Sequence, residues 1–509
     1  MEITNVLFEE MKNKLKSQKK IAIIGAGMGG ISASIHLASR GFEVTIFEKN
    51  NSLGGRCNVI EEEGFKFDLG PSLLNYPWVF KELFKAAGEN FENHIELLEV
   101  KSGVKFLWDN GEHFNISGDY ADLNHEIQRL EGSNNRNLQK FLNKNKSRYD
   151  IAFKKLLNKN LDNPLSWAKN LGIREIITGS MISSMHKDLS KYFSNNHVIE
   201  AFGSYSMYLG GSPYDIPGFF SILPYGEIMY GLWMPKGGMY SLIESLEKIL
   251  NKLGVQVYKN TNISEIIINN KKARGIKTTD GTELNFDLIV SNLDLPTTMT
   301  ELISNPTNAQ KRSYEKLPMT PSVLTFYWGV KKKINFPHHM IFLPRDYKKT
   351  FEDLFYKKII PSGLPFYTSS ATTTDPDLAP KNHSTLFVLI PLPIVGNHSS
   401  NITLEKSVPE IKNLVIEKFR KHNINFYQED ICYEKVLTPQ DWKSQFGLFK
   451  GSAFGLSHNL SNIGPFRKKN KSKISNLYFT GASTSPGTGL PMVTISGKLT
   501  ADRIENDLR

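Results

Sequence analysis

Apolar positions change their spacing several times along the chain, and each change predicts a different element. Ile21–Ile24 is an uninterrupted apolar run, which reads as a buried strand. Gly25, Gly27 and Gly30 follow within six residues, and then a helical stretch whose packed face includes Ala33 and Leu37, ended by Gly41. Val44–Phe47 is a second apolar run and closes on the acid Glu48. Residues 119–200 interleave polar and apolar residues at helical spacing, as in "ADLNHEIQRLEG" and "RYDIAFKKLL". The next stretch, to about residue 240, is crowded with aromatics, Met, Gly and Pro and does not form one regular element. From Gly254 to Asp294 the pattern predicts successive strands, with turns at Asn269–Asn270 and Asp280–Gly281. Residues 320–400 alternate strands and irregular loops. The tail, "NLYFTGASTSPGTGLPMVTISGKLTADRI", reads as strand, glycine-rich loop and helix.

Composition narrows the class. With 509 residues, 40% hydrophobic and 22% charged, the chain can bury a large core in two or three lobes or one interleaved body. Two cysteines, Cys57 and Cys432, make no disulfide framework or zinc site and fit a reducing compartment. Nothing suggests a metal site. The net charge of +11 is concentrated in clusters: Lys12, Lys14, Lys16, Lys19 and Lys20; Lys144, Lys146, Arg148, Lys154 and Lys155; Arg467, Lys468, Lys469, Lys471 and Lys473. Such clusters attract phosphate groups. Without a nucleic-acid fingerprint, an anionic lipid surface is the better partner than nucleic acid, with plain solvated surface as the alternative. The first residues lack the pattern of a secretory leader. No apolar run reaches the ~18 residues of a spanning helix, and "LFVLIPLPIV" (Leu386–Val395) with its two prolines reads as a buried strand.

Gly25, Gly27 and Gly30 form G-x-G-x-x-G. Gly25 permits the tight turn, Gly27 lets the backbone approach a pyrophosphate, and Gly30 lets helix and strand pack. The helix N-terminus then faces the phosphates. Glu48 stands where a carboxylate bonds a ribose hydroxyl, beside Lys49. Strand, glycine turn, helix, strand and acid in register identify a dinucleotide cradle. Gly54, Gly55 and Arg56 follow directly. An arginine there reaches the same pyrophosphate as a charged fork.

These features together resemble the FAD enzymes of the amine oxidase and phytoene desaturase superfamily. The resemblance extends over nearly the whole chain beyond the first ~18 residues. It implies that "GFKFDLGPSLL" folds back beside the flavin, with Gly70, Pro71 and Ser72 in the form typical of the desaturases. It implies an adenine contact through the backbone of Ile263. In the tail it ends a strand at Gly481, among the cofactor-binding residues, places Ala482 and Ser483 where the ribityl chain and a phosphate pass, and sets Pro491, Met492 and Val493 at a helix start facing the flavin ring. Ser485 departs from the branch, where a histidine is common.

The middle, "SMYLGGSPYDIPGFFSILPYGEIMYGLWMPKGGM", resembles the bacterial and fungal-type phytoene desaturases in particular. Such an enzyme removes two hydrogens from a long apolar polyene, by hydride transfer to flavin N5 and loss of a proton. Its tunnel needs aromatics and methionines, and Tyr205, Met207, Tyr208, Phe219, Phe220, Tyr225, Met229, Trp233 and Met234 fit that need, with Tyr205, Tyr208, Phe220 and Trp233 as the leading candidates and each alternatively ordinary core. Asp68, Asp215, Glu227 and His186 are available as acids or bases, with none singled out. An FAD-dependent isomerase, saturase or terminal oxygenase on a related polyene, and a flavin-free prenyl- or protein-binding relative like the GDP-dissociation inhibitors, are the alternative readings. The expected architecture is α/β. A Rossmann-type FAD-binding domain (19–100, 236–300 and 471–509) is interleaved with a helical, membrane-associating and substrate region (101–235) and a mixed-sheet substrate-binding domain (301–470). A polyene-processing enzyme is expected to sit peripherally on the cytoplasmic side of a membrane and to pass its electrons to a quinone or oxygen.

Overall fold

The computed structural model describes residues 19–132, 136–172, 181–304, 306–394 and 401–509. The lead with Lys12, Lys14 and Lys16, and the last residue of the Leu386–Val395 run, lie outside them.

The apolar run Ile21–Ile24 becomes strand β1 (Lys20–Ile24), buried on both faces as an unalternating run requires. Gly25 then takes φ +91°, a conformation glycine adopts without a Cβ clash, and the chain turns into helix α1 (Met28–Ala38). Strands β2 (Glu43–Phe47), β3 (Gln256–Tyr258), β4 (Leu288–Ser291) and β5 (Leu477–Phe479) complete a parallel sheet in the order β5-β4-β1-β2-β3. One sheet is thus assembled from three distant stretches of the chain. Helix α2 (Tyr240–Lys252) buries its apolar stripe against this unit.

The last helix, α3 (Leu490–Asp507), lies against α1. Gly497 allows the close approach, since a Cβ there would stand 2.5 Å from the Ala33 nitrogen. Ser32 Oγ donates to the Thr494 carbonyl at 2.7 Å across the same contact. The predicted hairpin is present as strands Ile263–Asn269 and Lys272–Thr278. Its turn centres on Asn270 and Lys271, at φ +51° and +58°, one residue later than expected. A two-residue turn of this hand needs positive φ at both central positions.

A second, seven-stranded sheet runs in the order Ile431–Leu437, Ser322–Val330, Ser384–Leu392, Phe366–Ser369, His339–Leu343, Val104–Trp108, His113–Ile116. All pairs are antiparallel except His339–Leu343 with Val104–Trp108. The span 101–235 therefore gives this sheet two strands before its helices begin at Tyr120. The mixed character follows from that parallel crossover.

The apolar strands of this sheet divide by parity. On Ser384–Leu392, Leu386, Val388, Ile390 and Leu392 point into a core shared with helix Asn401–Lys421. Phe387, Leu389 and Pro391 face the opposite way, into a cavity. Two-sided burial explains why the sequence shows a continuous apolar run there. Among the described residues no helix is long and apolar enough to cross a membrane. Two members of the basic clusters are not surface charges. Arg148 is buried and donates to Asp188 Oδ1 at 3.0 Å, and Arg467 is buried under the tail loop.

Candidate functional site

A cavity of about 590 Å³ runs from the glycine turn of the first sheet to the face of the second that carries Phe387 and Leu389. Its first end is built by the fingerprint. Gly25 N–H donates to the Phe47 carbonyl at 2.8 Å, which ties the turn to β2. Glu48 is buried, and its carboxylate takes the Ala26 N–H at 2.8 Å and the Asn50 N–H at 3.0 Å. The acid thus holds the glycine loop in shape while still lining the cavity. Gly27 caps α1 without a side-chain hydrogen bond, so the first N–H groups of the helix are left for a ligand.

Gly54 and Gly55 bring the next loop across the same turn. Gly54 N–H donates to the Ala26 carbonyl at 2.8 Å, and a Cβ on Gly55 would lie 3.2 Å from the Gly27 Cα. Gly30 does not line the cavity; a Cβ there would meet the Gly25 carbonyl oxygen, so its part is helix packing. Lys49 lines the cavity but turns its ammonium to the Ser444 carbonyl at 2.8 Å.

Arg56 faces the cavity and donates to the Ala453 carbonyl. Burial lowers its pKa, and the charge of Asp294 opposes that shift. Asp294 in turn accepts from Ser483 Oγ at 2.7 Å and from the Phe449 N–H at 3.1 Å. Arg467 pins the tail loop from behind. It donates to the carbonyls of Thr484 (3.0 Å), Ser457 (3.2 Å), Asn462 (3.2 Å) and Ala482. Burial pushes its pKa down to about 9. His458 accepts the Thr488 N–H on Nε2 at 3.3 Å and sits 3.1 Å from the Leu209 carbonyl through Nδ1. Its pKa lies well below the ordinary histidine value because of burial and the neighbouring Arg467.

Beyond Gly481 (φ +102°) and Ala482 the loop leads to Gly489, which caps α3 without a side-chain hydrogen bond. Pro491, Met492 and Val493, in the first turn of α3, line the cavity, as do Gly70, Pro71, Ser72 and Ile263. Two uncapped helix starts, the bare glycines Gly25, Gly27, Gly54 and Gly55, and Arg56 therefore converge on one elongated space. This donor set fits a cofactor with a pyrophosphate at one end and a planar ring near the other.

The far end of the cavity is apolar. Phe219, Phe220 and Leu223 face it from the aromatic middle segment, Leu156 and Leu157 from the helical region, and Ile341, Phe387 and Leu389 from the second sheet. Tyr208 lines it as well, with its hydroxyl buried and without a hydrogen-bond partner among the described residues.

Contrary to expectation, neither Tyr205 nor Trp233 lines the cavity. Tyr205 lies one layer behind, where its hydroxyl donates to Glu227. Trp233 pairs with Glu99 in a short antiparallel ladder, and its indole N–H donates to the Tyr230 carbonyl at 2.9 Å. An aromatic-rich sequence marks a wall but does not show which rings face inward. The four candidate acids and bases also stand away from the cavity surface. Asp68 accepts the Met239 N–H at 2.7 Å, and burial raises its pKa to about 7. Burial raises Glu227 to about 8. Asp215 takes the Tyr356 hydroxyl near the surface, and the His186 ring lies beside Tyr214.

Sequence reasoning missed Asn292, Asp294, His458 and Arg467, all at the cavity. Asn292 and Asp294 follow β4 directly, and the end of a parallel strand next to a glycine turn is a signal that points to them. His458 and Arg467 lie in irregular chain and carry no comparable signal.

The model of the flavin containing amine oxidoreductase family matches residues 28–505. The zeta-carotene-forming phytoene desaturase of Myxococcus xanthus is 32% identical over 489 residues, which cover 96% of this chain and 94% of that protein. The phytoene desaturase of Fusarium fujikuroi is 33% identical over 513 residues, covering 96% and 90%. The 4,4'-diapolycopene oxygenase of a Methylomonas species is 29% identical over 494 residues, covering 96% and 99%. Among solved structures, putrescine oxidase bound to putrescine superposes with a TM-score of 0.62 at 13% identity, over 96% of this chain and 98% of that one. A fatty acid isomerase from P. acnes superposes at 0.58 and 14% identity, over 96% and 99%. At such identities these two show the fold alone.

Proposed function

The chain belongs to the flavin containing amine oxidoreductases and, within them, to the carotenoid desaturases, and on that premise we propose that it desaturates a long apolar polyene such as phytoene with FAD as its cofactor. One observation carries the reading. The cavity that begins at the glycine cradle continues, without a break, into a wall of leucine, isoleucine and phenylalanine. A nucleotide and a hydrocarbon then meet in one enclosed space.

Bound flavin supplies a two-electron acceptor that takes a hydride from the substrate. The chain's own residues do the remainder. The α1 start, Gly27 and Arg56 would hold a pyrophosphate, Glu48, which holds the loop, would offer a ribose contact, and the α3 start would hold the ring end. Phe219, Phe220, Phe387 and Leu389 exclude water and keep a polyene extended along the second sheet. Specificity for FAD over shorter flavins is supported by the intact fingerprint and its acid, which have no role toward a flavin lacking the adenosine half.

The substrate dissolves in bilayers, which supports peripheral attachment to a membrane, on the cytoplasmic side where two free thiols are at home. Leu165 and Phe466 are 84% and 61% exposed. They lie beside Trp167 and Gly464, which line the cavity together with Lys159 and Lys469. Apolar side chains flanked by lysines suit an anionic lipid surface. A quinone or oxygen is the proposed final electron acceptor. Incubation of the purified protein with phytoene in liposomes tests the reading. A product with additional conjugated double bonds is expected, and an oxygenated or isomerised product would move the assignment to the alternative activities.

A further inference from the structure

Beyond the cradle the cavity wall is mostly hydrocarbon, yet a chain of three polar side chains reaches it. Ser72 Oγ lies 2.6 Å from the Tyr367 hydroxyl, and that hydroxyl lies 2.7 Å from His339 Nδ1. Ser72 and Tyr367 line the cavity. His339 is fully buried one layer behind, with its ring stacked on that of Tyr367 at 5.9 Å. Its Nε2 has no hydrogen-bond partner among the described residues. The three residues are brought together by separate elements: the loop after strand Phe65–Asp68, strand Phe366–Ser369, and strand His339–Leu343.

A polyene offers this chain no hydrogen bond, and burying polar groups in a hydrocarbon site carries a desolvation cost. The proposed reaction has a use for it. Desaturation takes a hydride from one carbon and a proton from its neighbour, and the proton needs an acceptor at the wall. Resting on the desaturase reading, we propose that Ser72, Tyr367 and His339 form the proton relay of the reaction, with Ser72 Oγ as first acceptor and His339 Nδ1 as last.

The C–H bond breaks, and its electron pair becomes the new π bond as the hydride leaves the adjacent carbon for the flavin. Ser72 Oγ takes the proton and passes its own to the Tyr367 oxygen. Tyr367 passes its own to His339 Nδ1, which becomes an imidazolium. Burial, with His338 alongside, keeps His339 neutral at rest, so its lone pair is free to accept. The same burial makes the imidazolium a strong acid, so once product has left the proton returns through Tyr367 to Ser72 and passes to water entering the cavity. The nearby carboxyl groups do not line the cavity: Asp68 holds the Met239 N–H, and Glu227 accepts the Tyr205 hydroxyl on one oxygen, its other oxygen being buried without a partner among the described residues.

Tyr367→Phe, Ser72→Ala and His339→Gln, each purified with its flavin, test the relay against phytoene in liposomes. Turnover is expected to fall about a hundredfold in Tyr367→Phe and His339→Gln, the lower range for a lost proton-transfer group, with flavin content and melting temperature retained. In mixtures of H2O and D2O the wild type is expected to show a curved rate dependence, from several protons moving together, and Tyr367→Phe a straight one. Tyr367→Phe and Ser72→Ala each delete a single oxygen, so they carry the test if His339→Gln does not fold. Wild-type turnover with wild-type curvature in Tyr367→Phe would overturn the relay and leave the desaturase reading standing. A flavin-loaded wild type that leaves phytoene unchanged would overturn the desaturase reading itself.

Discussion

The side-chain amide of Asn292 stands directly over Gly27, where an added Cβ would come 2.7 Å from its nitrogen. The Asn292 backbone is held by its N–H bond to the Ile24 carbonyl at 2.9 Å, so it is the side-chain amide that has to yield. Gly27→Ala is therefore expected to push the amide aside and to fill the space a pyrophosphate needs. The purified variant should fold and lose flavin at least tenfold, read as the ratio of flavin to protein absorbance. Gly30→Ala acts differently. Its Cβ would meet the Gly25 carbonyl, which is backbone, and the expected cost is about 1–3 kcal/mol of stability.

Arg467 is expected to resist its conservative replacement. Its guanidinium spreads donors over the carbonyls of Ser457, Asn462, Ala482 and Thr484. A lysine has one nitrogen and no fork. Arg467→Lys should lose about 3 kcal/mol or more, since several buried charge-assisted hydrogen bonds go together. Thermal melts with and without added flavin measure it, and the loss should be only partly recovered by flavin.

Two neighbouring tyrosines are expected to respond in opposite directions. The Tyr208 hydroxyl is buried with no partner among the described residues, so Tyr208→Phe should raise stability by about 1 kcal/mol. The Tyr205 hydroxyl satisfies Glu227, so Tyr205→Phe should lower it by about 1–3 kcal/mol. Denaturant midpoints under identical conditions compare the two.

Glu227 gives a dependence on pH. Burial raises its folded pKa to about 8, against about 4.3 for an unfolded glutamate. Between these values the folded chain binds a proton that the unfolded chain releases, so stability falls as pH rises through the window. Asp68 and Glu200, each raised to about 7 by burial, act with the same sign. Glu227→Gln should therefore show a smaller drop in denaturant midpoint between pH 5 and pH 8 than the wild type, and an unchanged drop would count against this account.

The cofactor end of the molecule was legible because it is local. Gly25, Gly27, Glu48 and Arg56 lie within 32 consecutive residues, 25–56, and each has a spacing that only one arrangement uses. The substrate end was legible as composition but not as geometry. Tyr208 and Phe220 reach the wall while Tyr205 and Trp233 do not, and nothing in their spacing distinguishes them. Phe387 and Leu389 were hidden inside a strand apolar on both faces, where period-two alternation gives no contrast. Arg148 and Arg467 read as surface charge because a sequence does not reveal the partners that allow a cation to be buried. Ser72, Tyr367 and His339 come from three segments, and only the fold puts them in one hydrogen-bonded chain.

Expression in a host that accumulates phytoene, followed by chromatography and absorption spectra of the extracted pigments, tests the central claim most directly. The account predicts loss of phytoene, new products with longer conjugated absorption, and a yellow purified protein that carries FAD. Unchanged phytoene beside a flavin-loaded protein would contradict it.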